Sequence, residues 1–394
     1  MHYVGIDWAD EGHQVAVVND SGKWVSELAV PQTGRGFASL HKQLTALAPV
    51  VVNIERPDGL LVDWLVQQGY RVYVTAPRAA ASHRSRSGKD DRTDARLLAN
   101  LLRVGSEDCR PLVRHSPLVQ QLMQELRALE QLQRQQVRLT NQLRQVLLQY
   151  YPAMLHLFSS LNTKIALRFL QACPNPQTAA GLSRLELAAL LKQQGYTRMS
   201  QLDRLYQKLQ VAMPTTEVWQ GYGQHVLALV SLLQTLQGQL AQLRQQVQHT
   251  FASHPEAAWW QALPGAGDLT VCRLLALIGD NRQAFTSCEA LQALAGTVPV
   301  TRRSGKSLSV RFRWGCTKAL RRAVMDFARN SLAKSGWANS YYQSQLERGH
   351  AEQRALRALA NRWVRIIWTL WQRRQPYDEA RHVANRSRNG RTAA

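Results

Sequence analysis

Tyr3-Val4-Gly5-Ile6-Asp7-Trp8-Ala9 reads as a short apolar β-strand with a carboxylate in its middle. A carboxylate desolvated in a strand core costs several kcal/mol unless a cation or a cleft receives it, so Asp7 asks for a partner. Outward from this stretch the pattern continues. His13 to Asn19 and Trp24 to Val30 read as two more strands, joined by the turn residues Asp20-Ser21-Gly22-Lys23. Gly36 to Ala48 fits a helix, Val50 to Glu55 a buried strand ending on a second carboxylate, Leu60 to Gln68 a helix, and Arg71 to Thr75 a strand.

Three antiparallel strands followed by β-α-β units is the order of a ribonuclease H-like domain, here expected over residues 1–104. Asp91 and Asp94 open the next helix, which runs through Leu102, and a spacing of three puts both on one helical face. Asp7, Glu55, Asp91 and Asp94 together suit a hard cation with oxygen ligands. Mg²⁺, expected as two ions, is the natural choice for phosphoryl chemistry. Each acid also has a plainer reading. Asp91 and Asp94 favour the positive end of their helix, Glu55 can pair with Arg56 or cap the following helix, and Asp90 is a cap or a solvated charge.

Residues 116–252 carry two heptad-like series. Leu118, Leu122, Glu125, Leu129, Leu132, Gln136, Leu139, Leu143, Val146 and Tyr150 step by threes and fours, as do Tyr222, Val226, Leu229, Leu233, Leu236, Leu240, Leu243 and Val247. The two helices can form an intramolecular hairpin, a coiled coil between subunits, or both. Cys173-Pro174-Asn175-Pro176 and Met213-Pro214 mark loops around a smaller helical insertion between them.

Residues 256–376 form a third, mostly helical region. It opens with Leu263-Pro264-Gly265-Ala266-Gly267, a turn whose Gly265 and Gly267 would let backbone N–H groups approach a phosphate. Thr301-Arg302-Arg303-Ser304-Gly305-Lys306 follows. Between residues 301 and 330 nine basic residues, among them Arg302, Arg303, Lys306, Arg311, Arg313 and Lys318, stand against the single acid Asp326. Phe312 and Trp314 interleave with them, a mixture suited to phosphates and bases. Ser304 lies in the middle of this patch with an approachable hydroxyl, and Ser307 and Ser309 compete with it. The tail, residues 381–394, is basic and expected to be disordered.

The bulk numbers agree with a nucleic-acid partner. Over 394 residues, 49 Lys and Arg against 27 Asp and Glu leave a formal charge of +22, which a polyanion would neutralise. No uninterrupted apolar run of membrane length appears, so no membrane partner is expected. The five dispersed cysteines fit a reducing cytoplasm better than a disulfide framework.

Gly5-Ile6-Asp7, Glu55, Asp91-Arg92-Thr93-Asp94-Ala95, Leu263-Pro264-Gly265-Ala266-Gly267 and Ser304-Gly305-Lys306 occur in an order that resembles the DEDD insertion-sequence transposases related to Piv DNA invertases. The resemblance runs from residue 3 to about Tyr377. It implies a RuvC-like N-terminal domain, a central coiled coil and a C-terminal transposase domain. It assigns the acidic tetrad to Asp7, Glu55, Asp91 and Asp94, and the nucleophile to Ser304. It further implies an element-encoded bridge RNA pairing with donor and target DNA, and homodimers assembling into a tetramer. Three rivals stand beside it. The first is a RuvC-like, structure-specific endonuclease with the same metal site and water as nucleophile. The second, an actin-like ATPase or sugar kinase, needs a duplicate of the first domain with a second phosphate loop, and none is visible. The third is a binding protein with a structural acidic cluster.

Overall fold

A computed structural model describes residues 1–83, 90–210, 219–305 and 307–384. The chain divides into two compact units, Met1–Arg114 and His115–Ala394. Lys306, the Met213-Pro214 loop and residues 385–394 of the basic tail lie outside the described residues.

The first unit is built on a six-stranded sheet: β1 (His2–Asp7), β2 (Gly12–Asn19), β3 (Trp24–Pro31), β4 (Val50–Ile54), β5 (Arg71–Thr75) and β6 (Cys109–Pro111), in the spatial order β3-β2-β1-β4-β5-β6. The pairs β1–β2, β2–β3 and β5–β6 are antiparallel, whereas β1–β4 and β4–β5 are parallel. Helices α1 (Gly34–Ala46), α2 (Leu60–Gln67), α3 (Pro77–His83) and α4 (Asp91–Arg103) complete the unit. Leu40 and Leu44 of α1 and Leu61, Val62 and Leu65 of α2 pack with Val4, Ile6, Val52 and Ile54 of the sheet in one core.

The contact that orders this unit is between β1 and α4. A Cβ added to Gly5 would lie 2.0 Å from the Ala95 carbonyl oxygen and 2.4 Å from the Ala99 amide nitrogen, so only glycine admits the helix at this height. Asn53, fully buried in β4, donates from Nδ2 to the Leu98 carbonyl at 2.8 Å and accepts from Thr75 Oγ1 at 3.0 Å. These bonds satisfy interior polar groups and tie α4 to two strands at once.

In the second unit, α5 (Pro117–Tyr150) and α10 (Trp219–Ala252) pair as an antiparallel hairpin. Between them lie α6 (Lys164–Ala172), α7 (Pro176–Ala180), α8 (Arg184–Gln193) and α9 (Leu202–Gln210). After them come α11 (Ala257–Gln261), α12 (Asp268–Ile278), α13 (Cys288–Leu294), the hairpin β7 (Val300–Ser304) and β8 (Ser307–Arg311), α14 (Lys318–Ser331), α15 (Gly336–Glu347) and α16 (Glu352–Arg373). The long hairpin carries a separate core at each end. Leu143, Val146, Leu147, Val226, Val230 and Leu233 belong to a small helical head with α6, α8 and α9. Leu122, Leu126, Leu129, Leu240 and Val247 join α12, α14 and α16 around Trp260, Trp363 and Trp371. By length and composition alone α10 is apolar enough to cross a membrane. A search for unbroken apolar runs passes over it, because glutamines divide its leucines; here Leu229, Leu233 and Leu240 are buried in the two cores, while Leu232 is exposed.

A polar knot closes the second core. The Asp280 carboxylate accepts from the Ser116 amide at 3.0 Å and from His254 Nε2 at 3.4 Å, beside His115. Burial alone would raise the Asp280 carboxyl, but the Ser116 bonds, His254 and His115 outweigh it and hold it below the usual carboxylate range. Burial pushes His115 down, against the attraction of Asp280. Below about pH 6.5 the unfolded chain therefore binds a proton that folded His115 resists, and stability falls as the pH drops through that value. Asp280 adds a second loss at still lower pH, as its carboxylate is protonated. Denaturant midpoints of this unit measured from pH 8 to 5 are expected to decline; a flat profile would contradict a neutral, partly buried His115.

Several sequence expectations need correction. Asp7 is the last residue of β1 rather than its middle, because the chain turns away at Trp8 and the Ala9 amide donates to His13 Nδ1 at 3.4 Å. Glu55 lies one residue beyond β4. The first unit continues past residue 104, because β6 adds an antiparallel edge to β5. In the α5 series Val119, not Leu118, is buried, and Glu125 is held by a bond from Thr250 Oγ1 at 2.9 Å. Expected disorder from residue 381 is premature: the Arg381 amide donates to Asp378 Oδ1 at 3.1 Å, and the His382 ring lies 4.7 Å from Trp337.

Candidate functional site

Strand and helix directions decide where the four acids fall. β1 and β4 run parallel with Ile6 beside Ile54, so Asp7 and Glu55 leave the same edge of the sheet on neighbouring strands. α4 runs the opposite way over β1. Its last residue, Arg103, meets Gly22 in the turn at the far end of β2, while Ala95 sits over Gly5. Asp91 and Asp94, in the first turn of α4, therefore belong to the edge where Asp7 and Glu55 emerge. Asp91 is exposed, Asp94 is buried, and Asp7 and Glu55 are half-buried.

The alternatives for these acids narrow. Asp90 is the N-cap of α4 but makes no side-chain cap bond; it accepts from Thr93 Oγ1 at 3.4 Å. Glu55 does not cap α2, whose N-cap is Gly59, and Arg56 instead stands 4.2 Å over the Trp8 ring. His13, fully buried, bonds to Gln32 through Nε2 while its Nδ1 holds the Ala9 amide. Burial pushes the His13 imidazole down, which favours the neutral ring that this pair of bonds requires. The segment after Asp7 is thus clamped from two sides by His13 and Arg56, neither of which the sequence motif singled out. Among the described residues no three His, Cys, Asp or Glu side chains are gathered closely enough to hold an ion. The four acids fit a hard cation by donor type and by shared edge, but not as a closed ligand cage.

Ser304 belongs to the second unit, at the tip of the β7–β8 hairpin. Gly305 follows it with φ of 53°, the left-handed conformation that a two-residue hairpin turn needs. Ser304 pairs with Ser307, Arg303 with Leu308 and Arg302 with Ser309. Side chains alternate along a strand and paired residues share a face. Ser304, Arg302, Ser307 and Ser309 therefore share one face, whereas Arg303 stands on the other with Leu308. Ser304, Arg302, Arg303 and Arg311 are all exposed, and so is Lys318 in the first turn of α14. Arg313 is half-buried and donates to the Val298 carbonyl at 3.3 Å, anchoring the base of the hairpin.

The loop before α12 is governed by packing. Gly265 has φ of 73°, and a Cβ there would sit 2.5 Å from the Asn330 carbonyl oxygen at the end of α14. Gly267 is the N-cap of α12, and Asp268 follows in its first turn, putting a carboxylate where an anion would otherwise bind.

Sequence reasoning missed the arginines of α16. Arg354, Arg357, Asn361 and Arg365 recur at helical spacing, and the first three border the base of the hairpin. Their stripe was the available signal.

Comparison with known proteins agrees with both units. Residues 4–152 match the IS110-type DEDD transposase family, and residues 259–343 match the transposase family IS116/IS110/IS902. The mini-circle transposase for IS117 from Streptomyces coelicolor is 34% identical, over 97% of this chain and 96% of its own. An uncharacterised 44.8 kDa protein of insertion element IS116 from Streptomyces clavuligerus is 27% identical, over 93% of this chain and 94% of its own. A 42 kDa protein of insertion element IS900 from Mycobacterium paratuberculosis is 23% identical, over 97% and 98% respectively.

Proposed function

The chain belongs to the IS116/IS110/IS902 family of insertion-sequence transposases, and from that membership we propose that it cuts and rejoins DNA through a phosphoserine intermediate on Ser304. The observation that carries this reading is the placement of Ser304: an exposed hydroxyl at a hairpin tip, sharing its face with Arg302. In the proposed step Ser304 Oγ bonds to the scissile phosphorus as one phosphorus–oxygen bond to the DNA sugar breaks, and the freed sugar hydroxyl leaves. The strand break is stored as a phosphoester, so a second sugar hydroxyl can reverse the bond change on a new partner without ATP. Arg302 offsets charge on the transferring phosphate.

The first unit is read as a RuvC-like domain in which Asp7, Glu55, Asp91 and Asp94 would hold Mg²⁺ during the reaction. Bound there, the ion would supply Lewis acidity to phosphate oxygens. The protein's own part is to keep the Asp7 edge in place through His13, Arg56 and the β1–α4 contact. The proposal extends to a coiled-coil character for the α5–α10 hairpin, to assembly of homodimers into a tetramer, and to a bridge RNA that selects donor and target DNA. The family resemblance supports the last two. The charge of +22 suits any nucleic-acid partner.

The test incubates the protein with DNA from its element's ends and RNA transcribed from its flanks, in Mg²⁺, followed by a denaturing gel. A protein-linked DNA band that maps to Ser304 by mass spectrometry, and that disappears with EDTA or in Asp7→Ala, is expected. Strand cleavage without any adduct would instead favour water as nucleophile and a RuvC-like endonuclease. Affinity for DNA should also fall on the order of 10³-fold between about 50 and 200 mM salt, as phosphate contacts release counterions. A flat salt response would remove the phosphate-contact argument.

A further inference from the structure

Beside the base of the β7–β8 hairpin lies a cleft of about 450 Å³, a volume typical of small-ligand sites. Arg311 and Arg313 border it from the hairpin side, Arg354, Arg357 and Asn361 from α16, and no acid among the described residues lines it. Phe312 also lines it, with the guanidiniums of Arg321 and Arg357 4.4 and 4.5 Å from the ring centroid. Neither arginine has a carboxylate partner among the described residues, and Arg321 Nε is buried without a hydrogen-bond acceptor. Burial and the neighbouring Arg321 charge both press down on the basicity of Arg357. Two like charges crowded over one ring, with no counter-ion among the described residues, are relieved by an anion. Edge-to-face against Phe312 at 4.8 Å, Trp314 is held in place while 77% of its surface stays open to solvent. A tryptophan braced on one side and bare on the other offers a π-face for stacking.

We propose that this cleft and Trp314 hold one unpaired nucleotide of a DNA or RNA strand, its phosphate among Arg354 and Arg357 and its base stacked on Trp314. The proposal rests on the reading above that the chain acts on nucleic acid. A paired base hides both faces in the duplex stack, so an exposed aromatic platform selects nucleotides that have left it. A strand exchange has to open such nucleotides next to the cut, and the cleft adjoins the hairpin that carries Ser304.

The experiment titrates labelled oligo-dT, oligo-rU and a duplex of equal length against the full chain, read by fluorescence anisotropy at fixed salt. Trp314→Ala is expected to weaken single-strand binding about 5- to 100-fold, the range that loss of one stacked base gives, and duplex binding by less than about 2-fold. Trp314→Phe should restore most of the loss. Arg357→Gln should weaken all three ligands and lower the salt slope by about one unit. A loss confined to oligo-rU identifies an RNA strand as the source of the nucleotide, and a loss confined to oligo-dT identifies DNA. Single-strand binding by Trp314→Ala equal to wild type, or an equal loss on duplex, overturns the proposal. Failure of wild type to bind any of the three would instead undo the function proposed above, so the two failures are told apart. Because the Trp314 ring is mostly exposed, its removal should leave the urea midpoint unchanged, which confirms that the variant is folded.

Discussion

Ser304→Ala is expected to abolish the protein–DNA adduct and to reduce recombination by about 10⁴-fold or more, the scale on which loss of a covalent nucleophile is felt. The fold should not notice. Ser304 is exposed, and its cross-strand neighbour is Ser307 rather than a core residue. DNA affinity should stay close to wild type, because the basic residues around the hairpin remain. The informative comparison is Ser307→Ala, which removes the hydroxyl directly opposite. An adduct that survives in Ser304→Ala and vanishes in Ser307→Ala would move the nucleophile across the turn. Loss in both, with DNA still bound, would point to a hairpin that acts as a unit.

Gly5→Ala is expected to destabilise the first unit by about 3 kcal/mol or more, the cost of forcing extra volume into a tight contact. The new methyl would lie 2.0 Å from the Ala95 carbonyl, and the obstacle is helix backbone, which cannot swing aside. α4 must lift, losing the cover of Leu98 and Ala99 over the sheet and the Asn53 bond to the Leu98 carbonyl. Asp91 and Asp94 travel with it, so activity should fall even where the unit remains folded. In a two-state reading of this unit the midpoint drops by more than about 10 °C. Gly238→Ala in α10 is the control for replacing a glycine as such. Nothing lies within 4 Å of its Cβ position, and a helix interior there should gain about 0.5–1 kcal/mol. A Gly5→Ala protein as stable as wild type would mean that the β1–α4 contact does not govern the fold.

Much of the first unit was legible in the sequence because its strands are buried and apolar. Val4, Ile6, Val52 and Ile54 read as a sheet interior and are one, and Glu55 was read at the edge of its strand, whereas Asp7 was read inside its own. The end of β1 itself was not legible. It is fixed by the Ala9 amide, in the loop after β1, reaching the His13 side chain at the start of β2, a bond that no apolar periodicity announces. β6 is only three residues long, too short to carry periodicity. The β7–β8 hairpin escaped for the opposite reason: its residues are almost all polar or exposed, with Leu308 and Val310 turned outward, so nothing in it resembles a half-buried strand. Its basic surroundings left Ser304 in competition with Ser307 and Ser309, and only the family resemblance singled it out; the division of Arg302 and Arg303 onto opposite faces depends on a strand pairing. The arginine cleft was least legible of all. It is assembled from the hairpin base and from α16, segments that composition treats separately.

The long α5–α10 hairpin has a consequence for how such chains diversify. The chain enters the small helical head on one helix and returns on its antiparallel neighbour, and the end of α5 and the first turns of α10 lie side by side, with Tyr150 stacked on Tyr222. The core at the other end is sealed by Leu122, Leu129, Leu240 and Val247, about 1.5 Å per residue further down the same helices. A head of another size can therefore be grafted onto the distal turns without changing the register near Trp260 and Trp363. The stalk works as an exchange socket: it lets the insertion drift or be replaced while the part of the chain bearing Ser304 inherits an unaltered foundation.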